Sequence, residues 1–149
     1  MTLKVRINED VKAAMRAREA KTLGALRLLL AAIKQREVDE RIELDDAAVI
    51  AVIDKMLKQG RDSITQYAAA GRDDLVDAER FESELLSAYL PAGLSAQEVA
   101  VAIAQAITEA EATGPGDMGK VMAQLRPRLT GRADMGAVSQ LVKARLSGA

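Results

Sequence analysis

Apolar residues recur in this chain at intervals of three, four and eight, at Leu3, Ile7, Val11 and Met15 and again at Leu23, Leu26, Leu30 and Ile33, a spacing that places them on one face of an α-helix. A single helix from 3 to 40 would run about 57 Å at the helical rise, far longer than a small domain. The run must break, and the segment from Arg18 to Thr22 is the expected place. What fills the core is equally constrained. With 49% apolar residues but only two Tyr, one Phe and no Trp, packing falls to Leu, Ile, Val, Met and Ala. A chain of 149 residues buries about two-thirds of its unfolded surface, enough for a real core.

The same reading continues along the chain. Leu26, Leu28, Leu29, Leu30 and Ile33 surround most of their helix, which makes it the expected buried centre of the N-terminal half, with a polar, exposed tail from Lys34 to Glu43. A third helix starts at Asp45 or Asp46, whose side chain can accept from free backbone N–H groups, and runs through Val49, Ile53, Leu57 and Tyr67 to a stop at Gly71. Asp73 is expected to cap a fourth helix, which Pro91 and Gly93 terminate. Directly after it, Ser95-Ala96-Gln97-Glu98 has the form of a capping box and opens a fifth helix. Asp117-Met118-Gly119-Lys120-Val121 and Asp134-Met135-Gly136-Ala137-Val138 open two more, each with Asp as the expected N-cap. No strand pattern competes. The fold class is all-α, with four helices over residues 1–92 and a small three-helix domain over 93–149.

Several chemistries are removed by composition. Histidine and cysteine are absent, which excludes the usual neutral-pH proton shuttle, a thiol nucleophile, disulfides and any Cys/His zinc site. The serines have no histidine to activate them and no G-x-S-x-G elbow, which leaves a Ser-Lys arrangement as the open alternative for a serine nucleophile. Gly114-Pro115-Gly116-Asp117-Met118-Gly119 matches G-x-G-x-x-G, but a helix precedes it rather than a strand, and Asp117 sets a carboxylate where a phosphate would bind. The carboxylates from Glu37 to Asp46 and from Asp73 to Asp77 lack the spacing of a calcium loop and suit helix caps and solvated faces. No catalytic residue, metal site or cofactor is expected. Charged residues interrupt the N-terminal apolar run before a signal-peptide core can form, and the Ala-rich stretch from Val99 to Thr108 is too short to span a bilayer. The expectation is a cytoplasmic protein without a membrane partner.

Net charge is −1, yet it is unevenly spread. Residues 4–36 hold nine Lys/Arg against three acids, and residues 113–149 hold six against two, with the acids concentrated between Glu37 and Glu111. Arg126, Arg128 and Arg132, read as flanking a Pro-Gly loop, can present cations to phosphate oxygens. With three aromatics in the whole chain there is no base-stacking platform, so any RNA is met through backbone and shape, weakly and with strong salt dependence.

The C-terminal segment carries a resemblance. Asp117-Met118-Gly119-Lys120-Val121-Met122, Leu125, Pro127, Leu129, Gly131-Arg132-Ala133-Asp134 and Val138-Ser139 with Val142-Lys143 resemble the closing motif of the GatB/YqeY family. The resemblance extends to Tyr89-Leu90-Pro91 with Leu94-Ser95 and to Arg27 through Lys34, and so covers essentially the whole chain. It implies an all-α fold of four plus three helices. It also implies a relation to the tail of the B subunit of the tRNA-dependent amidotransferase and to a module appended to some glutaminyl-tRNA synthetases, where it contacts tRNA rather than performing chemistry. The RNA-facing candidates are Lys120, Arg126, Arg128, Arg132 and Lys143, the region marked by the resemblance and the cations chosen by charge. One departure stands out: the family usually has Gly directly after the Asp of Gly-Arg-Ala-Asp, where this chain has Met135 and places Gly136 one residue later.

The leading expectation is therefore a non-catalytic, tRNA-associated helical protein, with an amidotransferase or an aminoacyl-tRNA synthetase as companion. A protein-binding helical adaptor is the main competitor. An amidotransferase-like carbon-nitrogen ligase using glutamine, a label attached to the family, is the third class.

Overall fold

A computed structural model of the chain describes residues 1–148. Within them lie seven α-helices and one 3-10 turn, and no strand beyond an isolated bridge between Thr130 and Ala133. They fall into two compact units, Met1–Leu90 and Pro91–Ala149.

The first unit contains α1 (Leu3–Ala17), α2 (Ala20–Glu40), α3 (Asp46–Ala69) and α4 (Asp73–Ser87). Thr2 caps α1 by accepting from the Val5 N–H. The long apolar run breaks inside the expected segment: Arg18 turns left-handed at φ 56°, and its N–H and that of Glu19 close the last carbonyls of α1. Asp45 caps α3 through the Ala48 N–H at 2.9 Å, as its side chain predicted.

Asp73 does not cap α4. Arg72 occupies the cap without a side-chain bond, and Asp73 and Asp74 sit inside the first turn, where their charge favours the helix dipole instead. Ile7, Leu26, Leu29, Ile33, Val49 and Ile53 are fully buried and form the centre of this unit. Leu28 is not part of it, being 55% exposed: on α2 the buried side chains are Ala25, Leu26, Leu29 and Ile33, with Leu30 and Ala32 packed partly against the core. Nor is the tail from Lys34 to Glu43 wholly solvated. The Glu37 carboxylate accepts from Lys4 Nζ at 2.6 Å and from the Leu44 N–H at 2.8 Å, which pins the buried Leu44 loop to α1 and α2. Both bonds hold the Glu37 carboxyl below its ordinary range, Lys4 foremost.

The second unit contains α5 (Ala96–Glu109), the 3-10 turn Pro115–Asp117, α6 (Met118–Leu129) and α7 (Met135–Leu146). The capping box forms as expected, Ser95 accepting from the Glu98 N–H and Glu98 from the Ser95 N–H. Asp117 behaves differently from the expected N-cap. It makes no cap bond to α6 but accepts from the N–H and hydroxyl of Thr113 at 2.9 and 3.3 Å, closing the turn before the helix. The Thr113 N–H, helped by Lys120, holds the Asp117 carboxyl below its usual range. Asp134 does cap α7, through the Gly136 N–H at 2.9 Å. Ile103, Ala106, Val121, Leu125, Leu129 and Val142 make the core where α5 packs on α6 and α6 on α7.

Candidate nucleic-acid interface

The cations singled out by sequence are carried by the α6–α7 hairpin. α7 packs against α6 and against the 3-10 turn that opens it, so the two helices run antiparallel. Each has 12 residues, about 18 Å of length, and this distance divides the candidates into two groups. Arg126 and Arg128 lie in the last turn of α6 and Arg132 in the loop that follows. Lys120 is in the first turn of α6, and Lys143 lies in the last turn of α7, toward that opposite end. All five side chains are exposed.

Pro127 does not belong to a loop. It sits inside α6, where its missing N–H leaves out one bond in the final turn without ending the helix, so Arg126 and Arg128 project from a helical scaffold. The loop proper spans 130–134. Gly131 adopts φ 80°, a conformation that favours glycine, and the Arg132 and Ala133 N–H groups both return to the Leu129 carbonyl. The Arg132 carbonyl accepts from the Leu94 N–H at 2.9 Å, and its Nε donates to the Ala92 carbonyl at 3.3 Å. Arg132 thus ties its loop to the segment before α5, and only the remainder of its guanidinium faces solvent.

The other cations differ in how free they are. Arg128 pairs with Glu109 at 2.7 Å and Lys120 with Asp117 at 3.7 Å, while Arg126 and Lys143 have no ion-pair partner among the described residues. The Arg128–Glu109 pair is half exposed on both sides, so it is worth at most about 1 kcal/mol and yields readily to a phosphate. Arg145, counted in the charge balance but not chosen as a candidate, shares the last turn of α7 with Lys143 and is equally exposed. Its spacing of two residues from Lys143 at a helix C-terminus was the available signal. The shifted glycine also finds a physical use: with Met135 as the first helical residue, Gly136 supplies the N–H that Asp134 caps, and a Cβ there would come within 3.3 Å of Asp134 Oδ1.

The G-x-G-x-x-G segment lies between α5 and α6, with the Asp117 carboxylate at the helix start, a helix-to-helix connection and not a strand-to-helix phosphate loop. Among the described residues, no three carboxylates gather as a metal-ligand set, and no helix is long and apolar enough to cross a membrane.

Known proteins bear on this arrangement. Curated relatives include three named "Altered inheritance of mitochondria protein 41, mitochondrial". That of Eremothecium gossypii is 37% identical over 123 residues, 80% of this chain and 67% of the relative. That of Kluyveromyces lactis is 31% identical over 113 residues, 73% of this chain and 60% of the relative. That of Meyerozyma guilliermondii is 34% identical over 94 residues, covering 61% and 49%. The chain therefore spans between about half and two-thirds of the length of these relatives. Their mitochondrial designation overturns the cytoplasmic expectation. The physical reason is plain: the charge and apolar pattern of a chain does not encode its compartment. A family model described as YqeY-like protein matches residues 4–146, nearly the whole chain, and the chain belongs to that family.

Proposed function

We propose that the chain is a non-catalytic, tRNA-associated helical protein, in which α1–α4 and α5–α7 act as two domains and the second positions a structured RNA through its exposed cations. The observation that carries this reading is the display of Arg126, Arg128 and Arg132 within seven residues at one end of a helical hairpin, in a segment with a local balance of +4. Such a site neutralises phosphates at fixed spacing and offers no aromatic surface for bases, so it suits a folded RNA better than a single strand. The resemblance to the amidotransferase tail supports tRNA as the RNA and an amidotransferase or aminoacyl-tRNA synthetase as the companion.

No chemistry is assigned to the chain itself. Its serines are committed to local structure where they bond at all, Ser95 to a cap and Ser87 and Ser147 to main-chain carbonyls. A fluorescence-anisotropy titration with folded tRNA and with polyuridine of matched length tests the reading. Tighter binding of the folded RNA is expected, and equal or absent binding of both overturns it. Incubation with glutamine and aminoacyl-tRNA is expected to release no ammonia, and release would restore the amidotransferase class.

A second reading, a helical adaptor for another polypeptide, is favoured by one observation in the first unit. An open groove of about 340 Å³ lies between α2 and α4, with exposed apolar side chains in it.

A further inference from the structure

That groove has a composition unlike the basic hairpin. Its floor is made by Ala20, Gly24 and Ala25 of α2 and Ala78 of α4, small residues that keep the two helices from filling the space with their own side chains. Leu28 and Phe81, the only phenylalanine in the chain, stand at its edge with 55% and 39% of their surfaces exposed. A Cβ built on Gly24 would meet nothing within 4 Å, so this part of the floor is open.

One wall is acidic: of the carboxylates on α4, Asp74, Asp77 and Glu82 line the groove. Asp74 is neutralised locally, being held by both Nε and Nη2 of Arg72, but Asp77 and Glu82 have no ion-pair partner among the described residues. Burial pushes the Glu82 carboxyl above its ordinary range, and Glu79 adds to the shift, so a cation arriving there relieves an existing cost. On the opposite wall Lys21 is the single cation. A half-apolar trough with an excess of acid along one helix complements a helix that carries apolar residues on one stripe and Lys/Arg beside it.

We propose that the α2–α4 groove is a docking site for a cationic amphipathic helix of a partner protein. The proposal rests on the adaptor reading and uses neither the basic hairpin nor RNA, so the two can fail independently. In the docked state an apolar side chain of the partner sits over Gly24 between Leu28 and Phe81, and its cations face Asp77 and Glu82.

The test uses the full chain, isotopically labelled, and a synthetic leucine-lysine peptide with leucines at i, i+3, i+4 and i+7, alongside a scrambled peptide of identical composition. Expected are saturable binding of the amphipathic peptide, amide shifts confined to residues lining the α2–α4 groove, and at least about tenfold weaker binding of the scrambled peptide. Gly24→Leu fills the floor and favours helix, and Asp77→Lys reverses an exposed charge, so both variants fold. Each is expected to weaken binding by about tenfold or more while leaving the circular-dichroism spectrum unchanged. Shifts scattered over the acidic surface, equal binding of the scrambled peptide, or undiminished binding by Gly24→Leu would overturn the proposal. So would concentration-dependent self-association of the free chain that Gly24→Leu abolishes, since the occupant would then be a second copy.

Discussion

Tyr89→Phe removes one hydroxyl from a contact that joins the two ends of the first unit. Tyr89 is 6% exposed, its hydroxyl donates to the Asp10 carboxylate on α1 across 79 residues of sequence, and Arg6 lies 4.8 Å from its ring centroid. The phenylalanine keeps the ring, its burial and the arginine contact. What is lost is a hydrogen bond to a charged acceptor, worth about 1.5–3 kcal/mol when fully desolvated. Asp10 is only partly buried and recovers some hydration, so a loss of about 1–2 kcal/mol is expected. Urea unfolding followed by far-ultraviolet circular dichroism should show a lower midpoint with an unchanged m-value.

The pH dependence supplies a second, sharper reading. Burial first, and then the bond to Asp10, raise the Tyr89 phenol above its usual range, with Arg6 opposing. The neutral form is therefore favoured in the fold, so the stabilisation is fully present below about pH 10 and is lost as pH rises toward the folded-state value. Because each pH unit costs about 1.4 kcal/mol once the unfolded phenol ionises, the advantage over phenylalanine should vanish about one unit above pH 10. A variant as stable as wild type, with a difference independent of pH up to 11.5, would refute the reasoning.

Other predictions follow from particular contacts. Ser95→Ala breaks the capping box of α5 and should cost about 1 kcal/mol in thermal unfolding, with Ser95→Gly costing less. Glu37→Gln removes a carboxylate whose stabilisation is present above the ordinary carboxylate range and lost on acidification, so the variant's urea midpoint should fall less than wild type's between pH 6 and 3. Gly131→Ala forces a side chain into a left-handed position at φ 80° and should cost about 1–2 kcal/mol, with amide shifts concentrated at Arg132 and Leu94.

The helices were legible because apolar spacing and cap chemistry act locally. The break near Arg18, the Asp45 cap and the Ser95 box all depend on residues within five positions of one another. What sequence misread depended on partners further off or on competing donors. Asp117 resembles Asp134 in its surrounding residues, but Thr113 is close enough to take its carboxylate. Glu37 reads as surface until Lys4, 33 residues away, comes within 2.6 Å. Leu28 belongs to an apolar run whose other members have neighbours while it faces the groove. At the candidate interface, the cations were visible in the sequence and their inequality was not. Arg132's tie to Ala92 and Arg128's pairing with Glu109 arise only when the loop and α5 are brought together.

The central claim, that the hairpin cations meet RNA phosphates, is tested most directly by the salt dependence of tRNA binding. With two to four phosphates neutralised, log K should fall with log salt at a slope of roughly −2 to −3.5. Arg126→Glu with Lys143→Glu, chosen because neither cation has a partner among the described residues, should flatten that slope by about one to two and leave the fold unchanged. No binding at about 50 mM salt, or an unchanged slope in the double variant, would contradict the account.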